Sequence, residues 1–300
     1  MSTDMAADLV LAFDDERDTA AALAQALGIA FAPIERHRFP DGELKLRLPP
    51  ELPPNVVLLR SLHQPNEKLV ELLIAAPAAR ELGARRLALV CPYLAYMRQD
   101  IAFLPGEAVS QRHIAGLLAS RFEAIVTVDP HLHRIGALSE VMPDCRAVSL
   151  SAAKLIGGWV AQRVPHPLLL GPDEESAQWV REAAGACSPA AEHGWCRKQR
   201  FGDRDVHVVL PPAMDFRDRA VVLIDDVAST GRTLVEAAQR VLAAGARSVD
   251  VAVTHALFVG NALAELHAAG VGHVWSTDCV PHGSNAISVV PLLAQALRQI

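Results

Sequence analysis

Short apolar runs alternate with amphipathic stretches along almost all of this 300-residue chain, and that alternation restricts the fold more than any other feature. LVLAF (9–13), VVLLR (56–60), RLALVC (86–91) and AIVTV (124–128) form a first series of strand-like runs. LLLG (168–171), VHVVL (206–210), AVVLI (220–224), VDVAVT (249–254) and HVWST (273–277) form a second. Between them, 17–27, 66–83, 110–120, 174–184, 233–244 and 260–269 carry helical periodicity. Continuous apolar strands separated by helices predict an α/β fold with mostly parallel sheets, buried on both faces and flanked by helices. Length and the two series predict two domains, 1–147 and 148–300, joined through 145–166, with the final helix packing back on the first. Pro77, inside NEKLVELLIAAPAARELG, predicts a kink or a break in its helix.

Composition narrows the function. Aromatic residues make up only 5% of the chain, so Ala, Leu and Val must build the cores. A net charge of −6 supplies no global field to attract nucleic acid or an anionic membrane, so an anionic ligand must be held by local groups. Cys91, Cys145, Cys187, Cys196 and Cys279 are scattered without a C-x-x-C pair, which reads as free thiols in a reducing compartment. The first residues lack the basic-then-apolar order of a secretory signal, and no apolar run reaches the ~20 residues that span a bilayer. These features predict a cytoplasmic protein with neither nucleic acid nor membrane as partner.

In parallel α/β sheets the ligand lies beyond the carboxyl ends of the strands. Those ends carry PYLAYMRQD, DPHLHRI, PDEES, DDVASTGRT and HALFVGN. Helix capping explains an Asp or a Ser at one or two of them; it does not explain acid pairs, a His and Arg-Gln recurring at most of them. In DDVASTGRT, Ser229, Thr230, Gly231 and Thr233 fall at the start of a helix, where successive N–H groups and hydroxyls suit a phosphate. Gly231 permits close backbone approach. Asp225 and Asp226 would repel a phosphate but can accept hydrogen bonds from sugar hydroxyls. The pairing describes a ligand with a phosphate at one end and a diol at the other, such as ribose 5-phosphate.

The apolar run with DDVASTGRT resembles the phosphoribosyl-binding motif of type I phosphoribosyltransferases and of ribose-phosphate pyrophosphokinases. FPDGELKLRL (39–48), CPYLAYMRQD (91–100), VDPHLHRI (128–135), GPDEES (171–176), CRKQRFGDRD (196–205) and THALFVGNA (254–262) resemble pyrophosphokinase segments, in that family's order and over nearly the whole chain. LPGEAVS (104–110), GPDEES, the K-x-R-x-x-D run from Lys198, and Ser229 where many bacterial members carry Asp are similar to the archaeal-type branch. The resemblance implies two tandem type I phosphoribosyltransferase-like domains, the first with ATP-binding segments and the second with the ribose 5-phosphate site. It implies transfer of a diphosphoryl group from ATP to the anomeric hydroxyl of ribose 5-phosphate, giving phosphoribosyl pyrophosphate and AMP.

Roles follow by the same resemblance. Lys198 and Arg200 would be mobile cations that neutralise the transferring phosphates. His131 and Asp173 would hold Mg²⁺ with the ATP phosphates, the D-x-H pattern from Asp129 favouring His131 over His133. Arg98 would meet the ATP phosphates and Gln99 the nucleoside. Phe39, Asp41 and Glu43 would form an adenine-binding loop lent by a neighbouring subunit, which implies a homo-oligomer with a shared ATP site. Without the resemblance, PDGE is a plain turn and RKQRFGDRD a solvated loop. One departure stands out: where many bacterial and animal members carry a basic, serine-containing regulatory loop after R-Q-D, this chain reads IAFLPGEAVS, which removes the expectation of the usual control by phosphate and ADP.

Two other readings compete. A phosphoribosyltransferase shares DDVASTGRT but needs neither RQD nor FPDGE, and a non-catalytic regulatory paralogue would have lost Lys198, Arg200 or the paired acids. A P-loop kinase is excluded because no G-x-x-x-x-G-K-[ST] occurs.

Overall fold

The structure is a computed structural model that describes residues 6–132, 134–200 and 206–300, without the side chains of 199, 200, 206 and 207. His133 and the 201–205 part of the basic stretch, with Gly202, lie outside the described residues. The chain divides into two units, one holding the chain up to Leu150 together with Val289–Ile300, the other Ser151–Ser288.

In the first unit β1 (Leu9–Phe13), α1 (Arg17–Leu27), β2 (Ala30–Arg38), β3 (Leu44–Arg47), β4 (Asn55–Leu59), α2 (Pro65–Glu81), β5 (Arg86–Cys91), α3 (Ser110–Ala119), β6 (Ala124–Val128) and β7 (Arg146–Leu150) follow one another. They form a seven-stranded sheet ordered β3-β2-β1-β4-β5-β6-β7. All pairings are parallel except β2 with β3. Every residue of β1 and β6 is buried, as the unbroken apolar runs require. After β1 the chain adds β2 on one side and later β4 on the other, so the strand order switches between β1 and β4.

The second unit runs α4 (Ala153–Ala161), β8 (Leu168–Gly171), α5 (Ala177–Ala186), β9 (Glu192–Trp195), β10 (Arg197–Arg200), β11 (Val206–Val209), β12 (Ala220–Ala228), α6 (Arg232–Ala243), β13 (Ser248–Ala256), α7 (Ala262–Ala268), β14 (Val271–Thr277) and β15 (Asn285–Ile287). Its six-stranded sheet is ordered β15-β14-β13-β12-β8-β9, parallel throughout, and the order switches between β8 and β12. One face packs Val221 and Leu223 of β12 against Leu234, Ala237 and Val241 of α6. The other packs Val222 and Ile224 against Ile156 and Val160 of α4 and Val180 and Ala183 of α5. Helices α4 and α5 approach so closely that a Cβ on Gly157 would lie 2.1 Å from the Ala183 carbonyl oxygen.

α8 (Val290–Leu297) belongs to the first unit, where it contacts α1, β6 and β7. Arg146 Nη2 donates to the Gln299 carbonyl at 2.6 Å and Arg298 Nη2 to that of Ala26. Among the described residues no helix is long and apolar enough to cross a membrane.

Several local expectations are corrected. VHVVL is not a strand of the large sheet: β11 pairs antiparallel with β10 in a separate ribbon. The helix with Pro77 is not broken, because Leu69, Leu72, Ala75, Ala76 and Ala79 are buried on both sides of the proline, and that packing offsets the ~3 kcal/mol a helix-interior proline costs. The run AVVLI does not stop at the acids, since β12 continues through Asp225 and Asp226 to Ala228. The segment 145–166 contains β7 and α4.

Candidate active site

The polar groups of the second unit gather where its strand order switches. Asp173 follows β8 and is buried; its Oδ1 accepts the backbone N–H groups of Glu175 (3.0 Å) and Ser176 (3.3 Å). Its Oδ2 lies 2.5 Å from Lys198 Nζ. The ribbon that carries Lys198 is fastened at its base by buried Cys196 and Val208, and by the Val208 N–H donating to Glu236 Oε1 of α6 at 2.8 Å. Burial, with Asp173 and Glu236 nearby, pushes the Cys196 thiol up to about 12, so it packs as a neutral group. The Arg200 backbone closes β10, and its side chain lies outside the described residues.

On the neighbouring strand Asp225 is half-buried and Asp226 buried. Alternation along β12 sends them to opposite faces, Asp225 with Val221 and Leu223 towards α6, Asp226 with Val222 and Ile224 towards α4 and α5. The Asp226 N–H donates to Asp225 Oδ1 at 3.0 Å. Burial, then the charges of Asp226 and Asp173, hold the Asp225 carboxyl well above the usual carboxylate range. This unit therefore concentrates negative charge at one strand edge. Among the described residues no cluster of three metal-binding side chains forms.

Beyond β12 the chain turns through Ser229, Thr230 and Gly231 into α6. Gly231 adopts φ +71°, a conformation that favours glycine. No side chain caps α6, so Ser229, Thr230 and Thr233 do not act as the capping residues their types suggest. The first N–H groups of α6 therefore have no side-chain cap, and the helix starts a few residues beyond Asp225 and Asp226.

The first unit presents a second set of groups at the carboxyl ends of β5 and β6. These strands are neighbours, so the loops with Arg98 and His131 leave the same sheet edge side by side. Arg134 Nη1 donates to Asp100 Oδ1 at 2.5 Å and ties the two loops. Arg98 is exposed and His131 half-buried. Gln99 braces its own loop: its Nε2 donates to the Ile101 carbonyl at 3.2 Å and its Oε1 accepts the Ser110 N–H at the start of α3. Tyr96 (φ +66°) and Asp129 (φ +38°) hold left-handed backbone in these loops, a strain that collects at working sites. Phe39, Asp41 and Glu43 lie in the exposed turn between β2 and β3, closed by Phe39 N–H to Glu43 O and Gly42 N–H to Phe39 O, both 2.9 Å. Asp41 Oδ1 accepts the Glu43 N–H at 3.2 Å.

Residues 9–121 match the model of the N-terminal domain of ribose phosphate pyrophosphokinase, and residues 149–270 that of the phosphoribosyl transferase domain. The ribose-phosphate pyrophosphokinase of Methanopyrus kandleri is 38% identical over 295 residues, 97% of this chain and 99% of the relative. The chain belongs to the ribose-phosphate pyrophosphokinase family. The ribose-phosphate pyrophosphokinase of Methanosarcina acetivorans is 35% identical over 92% of this chain and 94% of its own length. A crystal structure of phosphoribosylpyrophosphate synthetase from Mycobacterium smegmatis shares the fold, with a TM-score of 0.83 over 97% of this chain and 98% of that one at 24% identity. The archaeal relatives agree with the archaeal-type segments of this pyrophosphokinase-family chain.

Sequence reasoning missed the Lys198–Asp173 pair, the Asp100–Arg134 tie and the Glu236 anchor. Each joins segments far apart in the chain; Lys198 and Asp173 each stand out in the sequence, but nothing local pairs them.

Proposed function

We propose that this chain is a ribose-phosphate diphosphokinase, transferring the diphosphoryl group of ATP to the anomeric hydroxyl of ribose 5-phosphate. The observation that carries the reading is the uncapped N-terminus of α6 beside Asp225 and Asp226, with Lys198 one ion pair away on Asp173. The 5-phosphate docks on the N–H groups and hydroxyls of Ser229, Thr230, Gly231 and Thr233. The ribose diol donates to Asp225 and Asp226. Lys198 moves from Asp173 to the transferring phosphates, joined by Arg200, and the two cations neutralise charge that grows in the transition state.

The carboxylates of Asp173, Asp225 and Asp226 suit a divalent cation, whose charge would offset the burial, and then the repulsion from Asp226 and Asp173, that raise Asp225. Asp173 would hold Mg²⁺ with His131 and the ATP phosphates, and when bound the ion supplies charge neutralisation to the phosphoryl oxygens. Asp173 would hold the ion in place of its pair with Lys198, whose ammonium would then be available to the phosphates. Arg98 meets the ATP phosphates, and Gln99 reaches the nucleoside once it releases the Ser110 N–H. Phe39, Asp41 and Glu43 serve the adenine of a neighbouring subunit in a cytoplasmic homo-oligomer. The ATP segments then belong to 1–147 and the ribose site to 148–300. A phosphoribosyltransferase reading would leave the match over residues 9–121 without a role.

Purified protein given ATP, Mg²⁺ and ribose 5-phosphate should form AMP one-for-one with phosphoribosyl pyrophosphate. ADP with a ribose bisphosphate would overturn the reading, because it reports attack at the terminal phosphorus. Sharing of the ATP site is tested by mixing Phe39→Ala/Glu43→Ala subunits with Asp225→Ala/Asp226→Ala subunits. Partial recovery from two inactive parents is expected, and none in demonstrated mixed oligomers would assign the turn to its own subunit.

A further inference from the structure

The turn with Phe39 sits at the end of a hairpin that has left the sheet. Parallel pairing of β2 with β1 ends at Phe13 with Ile34, whereas antiparallel pairing with β3 begins at Glu35 with Arg47 and runs to Arg38 with Leu44. From Glu35 onward the hairpin is a two-stranded ribbon, an arrangement of marginal stability by itself. On the face that carries Leu46, which packs against the core, two side chains of this part reach back to α2. Arg36 Nη1 donates to Glu71 Oε1 and Arg38 Nη2 to Glu67 Oε2.

The spacing of these contacts is a match between two periodicities. Arg36 and Arg38 lie on one strand face about 6.8 Å apart; Glu67 and Glu71 are one helical turn apart, about 6 Å along α2. The inner rung is rooted in the core, since the Glu71 side chain is 1% exposed and also pairs with buried Arg60. Arg36 Nη2 lies 3.6 Å from Asp15 as well. The opposite face of the ribbon carries His37, whose ring meets Phe39 edge-on at 4.8 Å, and Lys45, whose Nζ is 5.9 Å from the Phe39 ring centre. One face is fastened and the other is presented.

We propose that Arg36 and Arg38 are positioning residues that hold the Phe39 turn in its working orientation by fastening the ribbon to α2. The proposal rests on the reading of that turn as an ATP contact. A ribbon released from α2 must be ordered again each time ATP binds, so the cost falls on ATP affinity and leaves the ribose site untouched.

The test is steady-state kinetics with each substrate varied, on Arg36→Ala, Arg38→Ala, Glu67→Gln and the exchanged pair Arg38→Glu/Glu67→Arg, with Phe39→Ala as reference. Arg36→Ala and Arg38→Ala should raise KM for ATP by about tenfold, with KM for ribose 5-phosphate and kcat within about twofold of the parent. Glu67→Gln should reproduce Arg38→Ala, and the exchanged pair should regain most of the ATP affinity. If Arg36→Ala fails to fold because Glu71 loses a partner, the exposed pair Arg38 and Glu67 carries the test alone. Normal KM for ATP in Arg38→Ala and Glu67→Gln, with a raised value in Phe39→Ala, would overturn the fastening while leaving the turn as an ATP contact. A normal value in Phe39→Ala would remove both.

Discussion

The two units place charge at corresponding points of their sheets, where the strand order switches, and treat it in opposite ways. Between β1 and β4 of the first unit, buried Arg60 donates through Nη1 to both oxygens of Asp15 at 2.8 Å and to Glu16 at 3.0 Å, and its Nη2 pairs with Glu71. Glu16 also accepts the Ser61 N–H at 2.7 Å, and Lys68 donates to the Ser61 carbonyl at 2.8 Å. The guanidinium lies over the Phe13 ring, 4.6 Å from its centre. Burial raises Asp15, but Arg60, Arg36 and Lys68 outweigh it and hold the carboxyl below its ordinary value, whereas for the more deeply buried Glu16 burial prevails over Arg60 and Lys68 and raises it. Between β8 and β12 of the second unit, Asp225 is raised by burial and by Asp226 and Asp173, and Lys198 is paired with Asp173. A crevice whose acids are neutralised from within is a structural joint. Under the proposed function, one that gathers carboxylates with fewer cations receives its counter-charge from cations that arrive with a ligand.

The comparison can be broken most directly at Lys198. Lys198→Ala should lower kcat by ~10²-fold or more, measured as AMP formed at saturating substrates, with little change in KM for ribose 5-phosphate. Near-normal turnover would make this ion pair as structural as those of Arg60. Arg60→Met should act on stability, because it leaves three acids without their shared partner. Urea unfolding should show a loss of ~3–5 kcal/mol, and a neutral result would mean that the first crevice is not held together by charge.

The next effect is smaller and opposite in sign. Asp225 binds its proton more tightly when folded, so its contribution to stability is full below the ordinary carboxylate value and is lost as pH rises through its raised value. Asp225→Asn should therefore unfold at higher temperature than the parent at neutral pH, by about 2–4 °C for each 1 kcal/mol relieved, and the gap should close in acid. A variant less stable than the parent at pH 7 would contradict the charge surplus. The smallest effect belongs to His63, which burial, then Lys68 and Arg60, push down to about 4. The folded state disfavours its imidazolium, so stability is lost as pH falls from about 6.5 to about 4. His63→Gln should flatten that part of the stability curve, on the order of 1 kcal/mol or less, and an unchanged slope would place the imidazole in water.

What the sequence determined by itself was whatever depends on near neighbours in the chain. Runs such as LVLAF and AIVTV carry a period and an apolarity that only strands buried on both faces satisfy, and DDVASTGRT holds its acids, its glycine and its helix start within nine residues. Where long-range packing competes with local preference, the tertiary structure decided. Pro77 stays helical because its neighbours are buried, and VHVVL pairs with RKQR off the main sheet because Val208 and Cys196 find a place under the ribbon. The polar stretch at 30–47, unread as strands, becomes a hairpin because Ala30–Ile34 can pair with β1. The charge partners lay furthest from view. Arg60 with Glu16, Lys198 with Asp173, and Arg36 with Glu71 are separated by 44, 25 and 35 positions, and nothing local in any of the six residues names its mate. Their pairing follows from which strand ends the fold brings together, because a buried charge is tolerated only where the sheet delivers its opposite.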